Sequence, residues 1–346
     1  MCVEDILAKT EQFVRVPSVV GFETPFLAHL QKEFSDAGCK VIPQERALIV
    51  KRDEFSSKNP IIVTAHIDRH GLISTDEGKA DYAAFSLKHK LQLPFEEKKS
   101  VFEKIGPRFV NELVYSFDST TGAMDGAGRV GTSTYDFDAK LVSFTLNDLD
   151  GLSRGTPLAY CSGVKRENGR VSSQLDNVLG VAMVRQLFED GFDGMAIFAT
   201  EEEIGQSWKH ISDYLLSRGI ETKNVLTVDV TPYQDSRAVD EGRVILRNKD
   251  ASAVFNPALT NRMREYCLRT NTPHEFKDEL IDAENAKLAE PKSLGKTELG
   301  HIIKHSAGKL NGTTLQIPVV NYHSNKEETS ETAIRNGYHA LLAAVR

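Results

Sequence analysis

The chain has 346 residues, 40% of them hydrophobic and 8% aromatic, and carries a net charge of −7 at pH 7. This is enough apolar material for two domains, or for one large domain with an insertion. There is no basic tract and no run near the roughly 18 apolar residues of a membrane span, so neither nucleic acid nor a membrane is expected as a partner.

Residues 1–36 read as helical. Thr24-Pro25 is a helix-start signal, and Phe26, Leu27, Leu30 and Phe34 follow at helical spacing. The first residues hold early acids and no apolar core of a secretion signal. The four cysteines (Cys2, Cys39, Cys161 and Cys267) are scattered with no C-x-x-C, so reduced thiols in a cytoplasmic protein are expected. After LIVKR comes the apolar run PIIVTA (60–65), ending in His66. From about 76 to 165 the texture changes to short β-like runs (LVYSF, TSTYDF, AKLVSFTL) divided by glycines and polar turns. Helical texture returns at Asp176, where an apolar stripe from Val178 to Phe188 is closed by Gly191. MAIFAT (195–200) is a second buried strand, KHISDYLLSRG a helix and NVLTVDV a third strand. Residues 244–247 and 315–322 read as further strands and SETAIRNGYHALLAAV as a closing amphipathic helix. The alternation predicts an α/β fold with a mostly parallel mixed sheet sandwiched by helices, formed by residues 1–75 and 166–346, with a small β-rich domain inserted at 76–165.

In such sheets ligands bind beyond the carboxyl ends of the strands. Here apolar strands run into His66-Ile67-Asp68, Glu201-Glu202-Glu203, Asp229 and His323, and Asp176 precedes a helix, where the dipole favours an anion. Singly, each has an ordinary reading: a structural histidine, a helix or turn cap, a solvated acidic face. Together two histidines, two aspartates and glutamate make a hard N/O set suited to divalent zinc, cobalt or manganese. Two such ions can share one carboxylate and clamp an attacking water, and a carboxylate beyond the ligands then serves as general base. Other patterns fail on context. Gly126-Ala-Gly128-Arg-Val-Gly131 fits G-x-G-x-x-G but leads into a β-like run, not a helix. His301 and His305 are spaced i, i+4 without the glutamate of H-E-x-x-H. Ser153 and Ser162 are not in G-x-S-x-G. His70, His89, His210 and His274 offer no evident partners.

With these residues in place the chain resembles the glutamyl aminopeptidase/cellulase-M-like metallo-aminopeptidases, the group of the tetrahedral (TET) aminopeptidases. AHIDRHG (65–71) resembles A-H-x-D-E-x-G, QLDNVLG (174–180) L-D-N-R-x-G, and TEEEIG (200–205) Q-E-E-V-G. TVDVTP (227–232) fits a D-V-T segment, GKTELG (295–300) is close to G-G-T-D-A-G, and IPVVNYHSNKE (317–327) resembles I-P-T-R-Y-x-H-S-x-x-E. The six lie in order over nearly the whole chain. The resemblance implies a zinc-aminopeptidase-like catalytic domain and an inserted domain serving dimerisation or substrate access. It implies two divalent ions per subunit, zinc foremost and cobalt or manganese as alternatives. By position, His66 and Asp229 would hold one ion, Glu203 and His323 the other, with Asp176 bridging. Glu202 would be the general base and Asp68 a carboxylate orienting His66. The register leaves Glu201 as a supporting residue. The chain departs from the pattern at Arg69, Val178, Val319-Val320-Asn321 and Lys296-Thr297-Glu298.

The reading implied is a metal-dependent aminopeptidase acting on peptides, as a homo-oligomer between dimer and dodecamer. The same site could instead serve a deacylase of acylated amino acids or small peptides, or a catalytically inactive, metal-bound peptide-binding scaffold.

Overall fold

The computed structural model describes residues 3–52, 60–76, 78–149, 151–160 and 162–346. Cys2 and Cys161 lie outside the described residues; Cys39 and Cys267 are buried free thiols. In chain order the strands are Lys40–Gln44 (β1), Ala47–Lys51 (β2), Ile62–His66 (β3), Leu72–Ser74 (β4), Lys79–Tyr82 (β5), Leu113–Phe117 (β6), Met124–Asp136 (β7), Leu141–Asn147 (β8) and Pro157–Tyr160 (β9). They continue as Lys165–Glu167 (β10), Arg170–Ser173 (β11), Met195–Ala199 (β12), Thr222–Pro232 (β13), Val244–Leu246 (β14), His274–Phe276 (β15), Leu310–Val319 (β16) and Glu327–Ser330 (β17).

The chain forms an α/β fold built on a mixed eight-stranded sheet of order β1-β2-β12-β3-β13-β16-β14-β15. Its four central neighbours, β12, β3, β13 and β16, run parallel, and β1, β2 and β14 pair antiparallel at the flanks. Both faces of the central strands are buried, which is why they read as continuous apolar runs. Successive side chains divide between two apolar clusters. Leu48, Val50, Val63, Ala65, Ala196 and Phe198 pack on one side with the helices Val3–Val14, Thr24–Asp36, Val178–Glu189 and Glu331–Val345. Ala47, Ile49, Ile62, Met195, Ile197 and Ala199 pack on the other with helices Ser207–Ser217 and Glu298–His305.

Strands β4 to β9 close into a barrel in the order β4-β5-β8-β7-β6-β9. The G-x-G-x-x-G segment lies inside β7, where a side chain at Gly128 would meet the carbonyl oxygen of Asn147 at 2.5 Å. Those glycines serve close strand packing rather than a phosphate loop. The β-like reading of residues 76–165 missed two helices, Ala83–Lys90 and Lys99–Phe109. In the second, Phe102, Ile105 and Phe109 are buried at helical spacing, but Pro107 inside it reads as a breaker. The helical reading of residues 1–36 also resolves into two helices. The loop between them is tied to the rest of the fold by a bridge from Val19 to Arg69. A small sheet, β10-β11-β17, lies beside the main one and brings Ser173 opposite Glu327. Among the described residues no helix is long and apolar enough to cross a membrane.

Candidate metal centre

The four central strands deliver their carboxyl ends side by side, and the titratable residues stand there. His66 ends β3, Asp229 lies near the end of β13, the three glutamates follow β12, and His323 follows β16. Asp176 enters from the β10-β11-β17 side. It does not cap the following helix, since Asn177 does so by accepting from Gly180 N at 3.1 Å. The Asp176–Asn177 peptide is cis.

The glutamate run breaks the strand. Glu201 takes a left-handed conformation (φ 70°), Glu202–Ile204 form one 3-10 turn, and Gly205 (φ 73°) ends it. A non-glycine residue rarely adopts that φ, so the surroundings must hold it. Asp68 supplies part of the hold: Oδ1 accepts from Glu202 N and Oδ2 from Glu203 N, each at 3.0 Å. The break sends the three side chains to three places. Glu201 turns to His210 Nε2 at 2.8 Å and Arg46 Nε at 3.4 Å. Burial works against its ionisation, but His210 and Arg46 keep its carboxyl below the usual range. Burial, aided by Asp229, Asp176 and Asp68 and opposed by His66, pushes the Glu202 carboxyl up to about 8. Burial and Asp176 hold Glu203 well above its ordinary value.

Two donor clusters result: His66, Asp176 and Asp229, and His70, Glu203 and His323, the donor atoms within each lying within 4.8 Å of one another. Asp176 stands between them. Its Oδ1 is 2.9 Å from His66 Nε2 and its Oδ2 is 3.4 Å from His323 Nε2. His66 Nε2 is 3.5 Å from Asp229 Oδ1, and His323 Nε2 is 3.9 Å from Glu203 Oε2. Burial disfavours the charged form of Asp176, yet the imidazoles of His323 and His66 facing it bring it well below the carboxylate range. Ligands about 2 Å from a shared zinc stand about 3–3.5 Å apart, and the separations here run from 2.9 to 3.9 Å. Asp176 Oδ1, Glu203 Oε1 and His70 Nε2 are buried without a hydrogen-bond partner, although histidine and carboxylate atoms face each other at contact distance. Buried polar atoms are normally paired, so this donor set fits divalent metal.

All seven residues singled out in the sequence therefore converge, with one correction. The Asp68 carboxylate is 3.7 Å from His66 Nδ1, too long to orient it; the closer acceptor is the Asp68 carbonyl oxygen at 3.2 Å. The carboxylate holds the glutamate turn instead. A second correction concerns the histidines without evident partners. His210 pairs with Glu201, and His70 Nε2 lies 2.9 Å from Glu203 Oε2. The H-x-D-x-H alternation from His66 to His70 was the available signal. Two further carboxylates support the site. Glu327, fully buried, accepts from His323 N at 2.6 Å, Leu175 N at 2.6 Å and Asp176 N at 2.8 Å, tying two ligand segments together. It stands in the H-S-x-x-E segment, where its spacing gave no role. Glu298 accepts from Thr64 Oγ1 at 2.8 Å, beneath His66, and Thr64 Oγ1 also lies 3.0 Å from Thr227 Oγ1. The i, i+4 pair His301 and His305 brackets the Trp208 ring, away from the donor clusters.

The departures at Arg69 and Val178 add nothing to the clusters. Arg69 points back to the first helix, where Nε donates to Ser18 Oγ at 2.8 Å, Nη1 to Val14 O at 3.1 Å and Nη2 to Val16 O. It satisfies carbonyls at and beyond that helix's C-terminus. Val178 is buried in the apolar core.

Residues 150–337, just over half of the chain, match the M42 glutamyl aminopeptidase family. Among curated protein sequences no match is found. An aminopeptidase from the archaeon Desulfurococcus kamchatkensis superposes with a TM-score of 0.72 at 14% identity, covering 99% of this chain and 95% of that one. The TET aminopeptidase of a marine sediment Thaumarchaeota archaeon gives 0.70 at 14% identity, over 98% and 96%. The Pyrococcus horikoshii TET1 peptidase, which assembles into a tetrahedron or a large octahedral shell, gives 0.68 at 16% identity, over 98% and 99%. At these identities the likeness is one of fold.

Proposed function

The chain belongs to the M42 glutamyl aminopeptidase family, and from that premise we propose that it is a dinuclear-metal aminopeptidase removing the N-terminal residue from peptides. The observation carrying this is the pair of donor clusters that meet at Asp176, with buried oxygen and nitrogen atoms lacking hydrogen-bond partners. His66 and Asp229 would hold one ion, Glu203 and His323 the other, and Asp176 would join them. Zinc suits the mixed imidazole and carboxylate set, and cobalt or manganese would also fit. When bound, the ions would polarise the scissile carbonyl and acidify a water.

The rest falls to the chain. Glu202 accepts the proton of the attacking water on its carboxylate and passes it to the leaving amine. Asp68 keeps Glu202 and Glu203 in one turn, so that base and ligand face a common site from adjacent positions. Residues 1–75 and 166–346 would form the catalytic unit, apart from β4 (Leu72–Ser74), which belongs to the barrel, and 76–165 with β4 an inserted domain controlling access or dimer contact. A cytoplasmic homo-oligomer is part of the same reading, and the shells that the Pyrococcus horikoshii protein can form support its oligomeric side.

The test compares free and N-blocked aminoacyl-anilides with added zinc, cobalt or manganese. Free substrates should turn over and blocked ones should not; the reverse preference would make the protein a deacylase. Glu202→Gln should keep its metal and lose on the order of 10²–10⁴ in rate. Wild-type rates in that variant would remove Glu202 as base, and no turnover of any substrate by the metal-loaded wild type would favour a binding scaffold.

A further inference from the structure

His70 is left over by the five-ligand assignment, and its surroundings are those of a ligand. Its side chain is 5% exposed and Nε2 lies 2.9 Å from Glu203 Oε2, whose side chain is 4% exposed. A well-aligned pair at this distance would be a hydrogen bond, yet His70 Nε2 is buried with no hydrogen-bond partner, and so is the second oxygen of the same carboxylate, Glu203 Oε1. The His70 ring also meets that of His323 at a centroid separation of 4.1 Å and an angle of 72°. Two imidazoles crowd one carboxylate, His70 Nε2 at 2.9 Å and His323 Nε2 at 3.9 Å from Glu203 Oε2, an arrangement that suits a cation between them.

The other side of the ring is fixed. His70 Nδ1 is 2.5 Å from Tyr82 Oη, on strand β5 of the barrel, and the His70 carbonyl accepts from Gln174 Nε2 at 2.9 Å. With the proton on Nδ1 shared with Tyr82, Nε2 presents its lone pair to the site. Metal-bound histidines are commonly held in this way.

We infer that His70 is a sixth protein ligand, completing a two-nitrogen, two-oxygen position with His323, Glu203 and the shared Asp176. The inference rests on the two-metal reading above. It also makes the two positions unequal. The His70 position has four protein donors, the number of a closed zinc site, whereas the His66 position has three and keeps a place open. The three-donor position is then the one that receives water and substrate, and the four-donor position the one that holds its ion more tightly.

The test is zinc K-edge X-ray absorption on the full chain loaded with two zinc ions. Three imidazoles should be shared by the two ions in the wild type and two in His70→Gln. Stepwise zinc titration of the metal-free chain should show one of two affinities falling at least about tenfold in His70→Gln, and about tenfold in Tyr82→Phe, with the other unchanged. Two imidazoles per two zincs in the wild type would overturn the inference and leave the two-metal reading standing. So would an unchanged titration of a folded His70→Gln chain. A wild-type chain that binds no zinc would overturn both.

Discussion

Replacing Glu327 by glutamine tests whether one buried carboxylate holds two halves of the site together. Glu327 Oε1 accepts from His323 N, and Oε2 from Leu175 N and Asp176 N. Glutamine is nearly the same size but has one acceptor oxygen. Turned towards Leu175 and Asp176, it keeps two bonds and sets its NH₂ against the His323 N–H; turned the other way, it loses two. Burial and Asp176 hold the Glu327 carboxyl well above its ordinary value, so no ionic contribution is counted for its bonds in the metal-free chain. The cheaper orientation gives up one bond and strands a buried donor, about 1–3 kcal/mol, a sizeable part of a typical folding free energy of about 5–15 kcal/mol. Urea unfolding of the metal-free chain, wild type against Glu327→Gln, measures it by linear extrapolation. The position that includes His323 should weaken more than the one that includes His66, since in this orientation only the His323 N–H loses its acceptor. Stability within about 0.5 kcal/mol of wild type would refute the reasoning, because a buried N–H group cannot lose its acceptor at so small a cost.

Glu201→Gln should retain most of the activity and lose about 1 kcal/mol of stability through its bond to His210, whereas Glu202→Gln should lose activity and keep stability. If kinetics and thermal melting give the opposite pattern, the roles in the run shift by one residue. Arg69→Ala should cost about 3–5 kcal/mol in urea unfolding, from a buried cation that leaves Ser18, Val14 and Val16 without their donor; a neutral result would place those groups in contact with water. Lys277 carries a pH dependence. Burial first, with Arg247, depresses its pKa from 10.5 to about 7, against the pull of Glu275 and Asp229. Between these values the unfolded chain holds the proton and the folded chain does not, so rising pH favours the fold. Unfolding free energy should climb from pH 7 to pH 9 in the wild type more steeply than in Lys277→Met, and equal slopes would refute the assignment.

The ligand-bearing strand ends were legible because each is an apolar run stopped by a residue type that does not belong in a core, as with His66 after IVTA or the glutamates after MAIFA. What the sequence could not show is that β12, β3, β13 and β16 are consecutive neighbours, since their sheet order differs from their chain order. That adjacency, more than any single residue, concentrates the donors. Elements without the period-two or apolar-run signal were missed, among them the helices Pro257–Thr270 and Lys277–Asn285 and the short strand β15. The first two bury few residues, so their polar faces dominate the pattern. Glu298 and Glu327 were visible only as letters in motifs. Their work is hydrogen bonding to segments far along the chain, and single-sequence spacing does not carry such contacts.

The segment from His66 to His70 explains why the centre depends on parts of the molecule well away from it. Its partners alternate. His66, Asp68 and His70 reach the donor clusters and the glutamate turn, while Ile67 packs into the core and Arg69 binds the end of the first helix. Alternation of this kind is what an extended backbone imposes on successive side chains. One face of five residues thus carries His66, the clamp on Glu202 and Glu203, and the ring joined to Tyr82 of the barrel. The other face anchors the segment to the N-terminal helix. A shift of the barrel at Tyr82, or of the first helix at Arg69, must move His70 or Asp68, and through Asp68 it moves Glu202. The sequence pattern H-x-D-x-H therefore marks a single mechanical unit rather than three separate polar residues, and changes at Tyr82 should be felt in the donor cluster of His70, Glu203 and His323 although the tyrosine is not a member of it.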